Sequence, residues 1–508
     1  MVNSDDSKNI KNFDISYKWT ALGNTTIGTL LAALDTNMIF IALPVIAAEL
    51  QTSLTTMIWI VIGYSLVTAS ILLNFGRLSD IFGRVKLYTL GFVIFTIGSL
   101  LCSLSQTGEQ LVLFRLVQAI GAAFIFSNSV AILTDSFPIT ERGKALGINQ
   151  IAIMLGSVLG LFLGGFLTSY LGWRSIFWIN VPIGIVGIFL SYKKLIETGT
   201  FKREKIDWFG NISFAAGLFL ILIAITFGSF GIISNIYTIS VLFIGGISLF
   251  FIFPVIEKYL SFDYPMFDFS LFKIKTFLGG NIAILLNSIA RGDFILLISL
   301  YLQSSFLNLD PLQVGIYLLP VSITLAIFGP LSGWLSDKYG SRFFSSLGLF
   351  ISGLGFLFLT QLQIDSSFFD LLLPFILLGT GMGIFSSPNR SSIMNNVPHN
   401  RRGISASTGT TLFYIGRSLS VGLSFLIMVS FLSTDQVREI IFDFKNNNSS
   451  KNIHEFDEDR IISQYNGSYT ETKFLDSIRT VFFISAIIVF VSVVPASIKN
   501  NNTSKIKS

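Results

Sequence analysis

Apolar runs of about 20 residues recur from one end of this chain to the other, and that feature leaves few folds open. A run of that length crosses the hydrocarbon core as an α-helix. In lipid only helices and closed barrels satisfy their own backbone hydrogen bonds. The runs fall at roughly 20–44, 57–75, 87–104, 110–134, 145–170, 175–192, 209–229, 236–256, 276–301, 312–335, 342–362, 368–388, 404–432 and 475–497. Only 12% of the residues are charged, against roughly a quarter in soluble domains. The reading is an all-α polytopic membrane protein with fourteen transmembrane helices. The polar first 18 residues lead into no short apolar core with a small-residue cleavage site, so the first span itself is expected to act as the insertion signal.

Loop charge sets the orientation. With the N-terminus in the cytoplasm, cytoplasmic loops receive Arg77, Arg84, Lys86, Arg142, Lys144, Lys193, Lys194, Lys202, Arg203 and Lys205. The same side receives Lys258, Lys273, Lys275, Lys338, Arg342, Arg390, Arg401 and Arg402, while the short outer loops hold Arg174. Lys and Arg concentrate on the cytoplasmic side, and one helix more or fewer would scramble this alternation. A multi-pass protein of the cell membrane with both termini cytoplasmic is therefore expected. The basic isoelectric point of about 9.1 follows from these loops and does not point to nucleic acid. In the long outer loop, 433–474, the helical spacing of Val437, Ile440, Ile441 and Phe444 predicts a short amphipathic helix at the membrane surface. Asn447, Asn448 and Asn466 head sequons there.

The chain also repeats itself. "GRLSDIFGR" (76–84) follows the second span and "GWLSDKYGSR" (333–342) the tenth, while Gly121, Pro138, Arg142 and Gly143 return at an offset of 260 as Gly381, Pro398, Arg402 and Gly403. Both echoes pair span n with span n+8. The domain reading is a tail (1–19), a six-helix bundle (20–192), linkers with two inserted helices (193–275), a second six-helix bundle (276–498) and a tail (499–508). Two parallel halves handling substrate at their interface near the midplane is a transporter architecture.

Several stretches, in order, resemble one family. "LDTNMIFIALP", "GRLSDIFGRVK", "RLVQAIGAA" and "GWRSIFWINVPIG" are similar to signatures of the major facilitator superfamily, in its fourteen-helix drug:proton antiporter branch. The Gly-rich fifth-helix signature departs once: the family usually has proline where this chain has Leu161. The resemblance implies proton-coupled export of small amphiphilic or drug-like compounds by alternating access.

Five charges fall within spans: Asp35, Arg115, Arg291, Asp293 and Arg417. An isolated charge at bilayer depth costs roughly 2.5–3.5 kcal/mol on insertion scales, so such residues pair or line a watery path. The resemblance implies that the counterparts of Asp35 and Arg115 couple transport to protons. Making and breaking the arginine contact would then bind and release a proton on the carboxylate. A static ion pair holding two helices is the alternative. Asp293 can pair with Arg417, and Tyr64, Gln118, Asn128, Asn149 and Gln150 with Arg291, Asp293 and Arg417 are expected along the substrate path. Three arginines against two aspartates leave neutral or anionic amphiphiles open as substrates.

In the loop motif, Gly76 permits close packing, Gly83 a positive φ, and Asp80 can cap a helix or pair with Arg84. The resemblance implies a conformational latch there, with Gly333, Asp337 and Gly340 as its second copy. Gly156, Gly160 and Gly164 share a helix face and allow close helix contact. Lone Cys102 is expected as a small packing residue, and His399 and His454, in separate loops, hold no metal. No nucleotide loop of the G-x-x-x-x-G-K-[ST] type occurs and no acid, histidine or metal cluster gathers at one face. A primary pump and a membrane enzyme are thereby disfavoured, and no cofactor or nucleotide is expected. The expected partners are lipid, protons and a small-molecule substrate, the chain working as a monomer. A metabolite or organic-anion permease and a ligand sensor remain as alternatives.

Overall fold

The computed structural model describes residues 15–498 apart from 139–140, 198–207, 230–234, 260–268, 305–306, 399–400, 434–435, 438–439 and 441–457. Fourteen helices among these are long and apolar enough to cross a membrane. They are α1 (Tyr17–Glu49), α2 (Leu54–Leu72), α3 (Arg84–Ser103), α4 (Gly108–Ser136), α5 (Ala145–Leu171), α6 (Ser175–Lys194) and α7 (Phe209–Gly228). The others are α8 (Ile236–Val255), α9 (Lys275–Leu302), α10 (Pro311–Tyr339), α11 (Ser341–Leu359), α12 (Phe368–Asn396), α13 (Ile404–Phe431) and α14 (Tyr469–Ala496). The expected fourteen spans are all present. The twelfth runs to Asn396 rather than ending near 388, which moves Arg390 from an expected loop into a helix. The apolar run stops at Pro388, but proline removes only its own N–H from the ladder, and the helix continues through the polar turn beyond it.

Helix packing carries the internal repeat. In the first half α1 packs on α5, α3 on α4, α2 on α4 and α3 on α6; in the second, α9 packs on α13, α11 on α12, α10 on α12 and α11 on α14. Every pair recurs eight helices later. The halves meet through α2 with α13 and α5 with α10, two contacts that the same n+8 exchange turns into each other. The inserted α7 and α8 pair together, and α7 docks on α2 and α13. Asn211 Nδ2 donates to Ser70 O at 2.7 Å and Trp59 Nε1 to Thr226 Oγ1 at 3.3 Å, tying α7 to α2 at two levels.

Glycine sets the closest crossings. A β-carbon on Gly348 would stand 2.6 Å from Gly381 O, and one on Gly91 3.1 Å from Gly121 O: the α3–α4 crossing and its α11–α12 copy both need small residues. On α5, a β-carbon on Gly156, Gly160 or Gly164 would come within 2.6–2.8 Å of backbone atoms of Leu30, Leu34 and Met38 of α1. Leu161 is 2% exposed, and α5 passes through it without interruption.

At the end away from the termini the halves interlock. Leu312 N donates to Ser169 Oγ at 3.0 Å, Gln303 Nε2 donates to Ile41 O at 3.1 Å, and Gly315 lies against Leu161 O. Towards the termini end, Gly23 of α1 and Gly147 in the first turn of α5 are exposed and face open space. Val437 and Ile440 are buried in the main core rather than presented to a membrane surface. Ile441, Phe444, Asn447, Asn448, His399 and His454 lie outside the described residues, as does the side chain of Asn466.

Candidate functional site

Asp35 lies near the middle of α1, where a carboxylate has no water to solvate it. Two helices deliver its partners. Arg115 Nη1 of α4 donates to Oδ2 at 2.7 Å, Gln118 Nε2 one turn further donates to Oδ1 at 2.9 Å, and Asn180 Nδ2 of α6 donates to Oδ1 at 2.7 Å. Asp35 is 2% and Arg115 1% exposed, so this is a fully buried ion pair. The surrounding groups close on each other: Arg115 Nη1 also donates to Gln118 Oε1 at 2.7 Å, and Ser99 Oγ of α3 accepts from Gln118 and Asn180 at 3.2 and 3.1 Å. The Tyr64 ring of α2 lies 4.3 Å from the Arg115 guanidinium carbon, a cation–π contact in a dry setting. Further hydrogen bonds offset the cost of burying such a pair; both Asp35 oxygens have donors, while Arg115 Nε is buried without a hydrogen-bond partner. Gln118 and Tyr64, expected along the substrate path, take part in this network, Gln118 on an oxygen of Asp35 and Tyr64 on the face of Arg115. Asn180 and Ser99 were not anticipated. Asn180 stands within the stretch "GWRSIFWINVPIG" and is the polar residue buried in the first turn of the segment Asn180–Lys194 of α6, which is the signal that marks it.

The second half holds a different arrangement. α9 is interrupted at Gly292 and Asp293, between helical segments Lys275–Arg291 and Phe294–Leu302. At the break the Asp293 N–H donates across to Ser420 Oγ of α13 at 3.1 Å. Ser420 Oγ in turn donates to Asp293 Oδ1 at 2.7 Å, and Ser424 donates to Oδ2. The expected Asp293–Arg417 pair is therefore not made: serines one turn apart on α13 take both carboxylate oxygens. Arg417, 7% exposed, instead reaches over the halves' interface. Its Nη2 lies 3.5 Å from Thr36 O, its guanidinium carbon 4.6 Å from the Phe40 ring, and its Nε is buried without a hydrogen-bond partner. Arg291 ends the first segment of α9, half-buried, with Arg417 the charged group acting on it.

The other expected lining residues scatter. Asn128 donates within its own helix to Phe124 O at 2.8 Å, and Asn149 accepts from Thr29 of α1 at 2.8 Å. Gln150 bridges the halves by accepting from Arg390 of α12. In the loop after α2, Gly83 takes φ 102° and its counterpart Gly340 takes φ 95°, a conformation that favours glycine. Arg84 Nη1 pairs with Asp135 Oδ2 of α4 at 2.6 Å. The side chains at Gly76 and Asp80 lie outside the described residues. Gly333 faces Ser387 of α12, and Asp337 is exposed. An unanticipated carboxylate completes this end: Glu197 accepts from the Arg84, Val85 and Lys86 backbone N–H groups at 2.8, 3.0 and 3.4 Å, capping α3 from the segment that follows α6. Among the described residues no group of three or more His, Cys, Asp or Glu side chains could hold a metal.

The profile of the Major Facilitator Superfamily matches residues 25–421. A riboflavin transporter of Clostridioides difficile is 33% identical over 417 residues, covering 82% of this chain and 88% of that protein. Multidrug resistance protein 3 of Bacillus subtilis is 29% identical, covering 80% of this chain and 78% of its own. Among solved structures, an inward-facing bacterial homolog of the human lysosomal transporter Spinster superposes with a TM-score of 0.61 at 18% identity, over 94% of this chain and 97% of that one. At that identity the likeness concerns the fold, here two six-helix bundles with two inserted helices. Helix order, the n+8 packing repeat and the matched sequence agree: this chain is a multi-pass membrane transporter of the major facilitator superfamily.

Proposed function

We propose that the protein is a secondary active, proton-coupled exporter of small amphiphilic compounds, rocking its halves (20–192 and 276–498, with 193–275 between them) around a site at their interface. It works as a monomer in the cell membrane with both termini in the cytoplasm. The observation that carries the reading is the Asp35–Arg115 pair, a carboxylate buried in a transporter fold and held by a cation that a helix movement can withdraw. Weakening that contact would favour the protonated carboxylate and restoring it would expel the proton, which gives a pH gradient a grip on the cycle. The similarity to a multidrug resistance protein supports export of drug-like compounds. Arg84 with Asp135, and Glu197 on the first turn of α3, supply contacts for a latch at the termini end. Gly83 and Gly340 make its turns, and Gly76, Asp80, Gly333 and Asp337 complete its two copies.

The test is flux in proteoliposomes under an imposed pH gradient, with and without a protonophore, comparing wild type and Asp35→Asn. Gradient-driven transport that disappears in the folded variant supports coupling at Asp35; undiminished transport returns the pair to a structural role. A second reading, a permease for a metabolite, is favoured by the similarity to a riboflavin transporter. It predicts substrate-specific flux and none of a broad set of drugs.

A further inference from the structure

The charges at the interface do not balance. Asp35 is committed to Arg115, and Asp293 turns its carboxylate onto Ser420 and Ser424. Three arginines of the second half are left, Arg291, Arg390 and Arg417, and none of them joins an ion pair among the described residues. Arg390 is bonded to neutral Gln150 and Thr410. Of the three, Arg390 is exposed, Arg291 half-buried and Arg417 buried; buried cations ordinarily persist by pairing, so Arg417, which makes no ion pair, calls for a counter-charge that arrives.

The geometry concentrates that demand at one place. A β-carbon on Gly292 would stand 2.7 Å from Arg417 Cα, so α9 and α13 touch where α9 breaks, and Arg291 precedes that contact directly. Interrupted membrane helices expose backbone and side-chain groups to substrates at midplane, and Arg291 and Arg417 both fall near the centres of their spans. Arg417 is held by weak contacts only: a long approach to Thr36 O, the Phe40 face, and a buried Nε with nothing to donate to. A guanidinium offers paired donors that match a carboxylate or phosphate. Beside it, Tyr414 meets Phe126 of the opposite half with ring centroids 6.3 Å apart, an aromatic wall for an apolar body.

We propose that Arg417 and Arg291, at the break in α9, form the head-group site for an amphiphilic anion: a carboxylate, sulfonate or phosphate carried on an aromatic or alkyl body. The proposal rests on the transporter reading and names its substrate class. Thr36, whose O lies 3.5 Å from Arg417 Nη2, directly follows Asp35, so the site adjoins the stretch of α1 that carries the proposed coupling carboxylate.

Two xanthene dyes of opposite charge separate head group from body: fluorescein, an anion, and rhodamine 6G, a cation. Binding is read by fluorescence anisotropy on the full chain in neutral detergent, and flux in proteoliposomes. Fluorescein should bind saturably and lose roughly tenfold to a hundredfold in affinity in Arg417→Gln and in Arg291→Gln, as expected for a charge-assisted contact. Arg417→Lys should retain an intermediate affinity, which controls for a folding defect. Displacement of fluorescein by phosphatidylglycerol identifies a lipid as the source of the anion, and displacement by naphthoate alone identifies a soluble one. Rhodamine 6G binding more tightly than fluorescein, or fluorescein binding that ignores both substitutions, overturns the anion site. Rhodamine flux under a pH gradient would then leave the transporter reading standing, whereas arginine-dependent fluorescein binding without any flux would keep the site and remove transport.

Discussion

Arg115 reaches Asp35 at 2.7 Å from another helix, with neither side chain exposed by more than 2%. Removing one member of such a pair strands the other in a dry interior and costs about 3–5 kcal/mol, whereas removing both is far milder. Asp35→Asn and Arg115→Gln should each lower the thermal unfolding midpoint in detergent, and the double variant should recover most of that loss. The double variant is then the informative one for transport. Stable but unable to follow a pH gradient, it assigns coupling to the pair; stable and still coupled, it moves coupling elsewhere.

Glu197 caps three backbone N–H groups at the start of α3 from 111 to 113 residues away. An N-terminal cap lost to alanine costs about 0.5–2 kcal/mol, and a carboxylate there also opposes the helix dipole. Glu197→Ala should therefore loosen the first turn of α3 while leaving the Asp35 network intact. Hydrogen exchange of the Arg84–Lys86 amides should rise, with exchange around Gln118 unchanged.

Leu161 occupies the place where relatives of the resembling branch usually carry proline, and here α5 is an uninterrupted helix whose Leu161 O faces Gly315 across the halves. Proline would remove a helix hydrogen bond and press on the preceding turn, at about 3 kcal/mol or more. It would also disturb the crossing held by Gly156, Gly160 and Gly164 against α1. Leu161→Pro should lower stability and weaken the α5–α10 contact. A disulfide placed between Ser169 and Leu312, substituted to cysteine, should form more slowly in its presence; equal rates and equal stability would mean that this chain tolerates the kink its sequence has dropped.

The number of the spans was legible because lipid leaves the chain so little choice: about 20 apolar residues and a helix are nearly the same statement. That Asp35 needs a partner was legible for a related reason, since a membrane charge advertises that need; it was the family resemblance that singled out Arg115. Asn180 and Ser99 carry no charge and so no such demand, though they complete the same network. The Asp293–Arg417 expectation failed because charge complementarity looks only for the opposite sign, while Ser420 and Ser424 can take both carboxylate oxygens as neutral donors. Falling hydropathy after Pro388 suggests a loop at Arg390, yet a helix that ends in polar residues still reaches the interface and meets Gln150.

The Asp293 site makes the last of these points measurable. Ser420 serves twice, accepting from the Asp293 N–H that the break in α9 sets free and donating to Oδ1. Ser424 has one role, as donor to Oδ2. Leaving a buried polar group without its partner costs about 1–3 kcal/mol, so Ser420→Ala, which abandons two groups, should destabilise more than Ser424→Ala, which abandons one. Unfolding midpoints in detergent would rank them. Equal losses would mean that the backbone break is supported by something other than Ser420. In an Asp293→Asn background the side-chain part of each loss should shrink while the backbone part of Ser420→Ala persists, because the Asp293 N–H remains whichever side chain it carries.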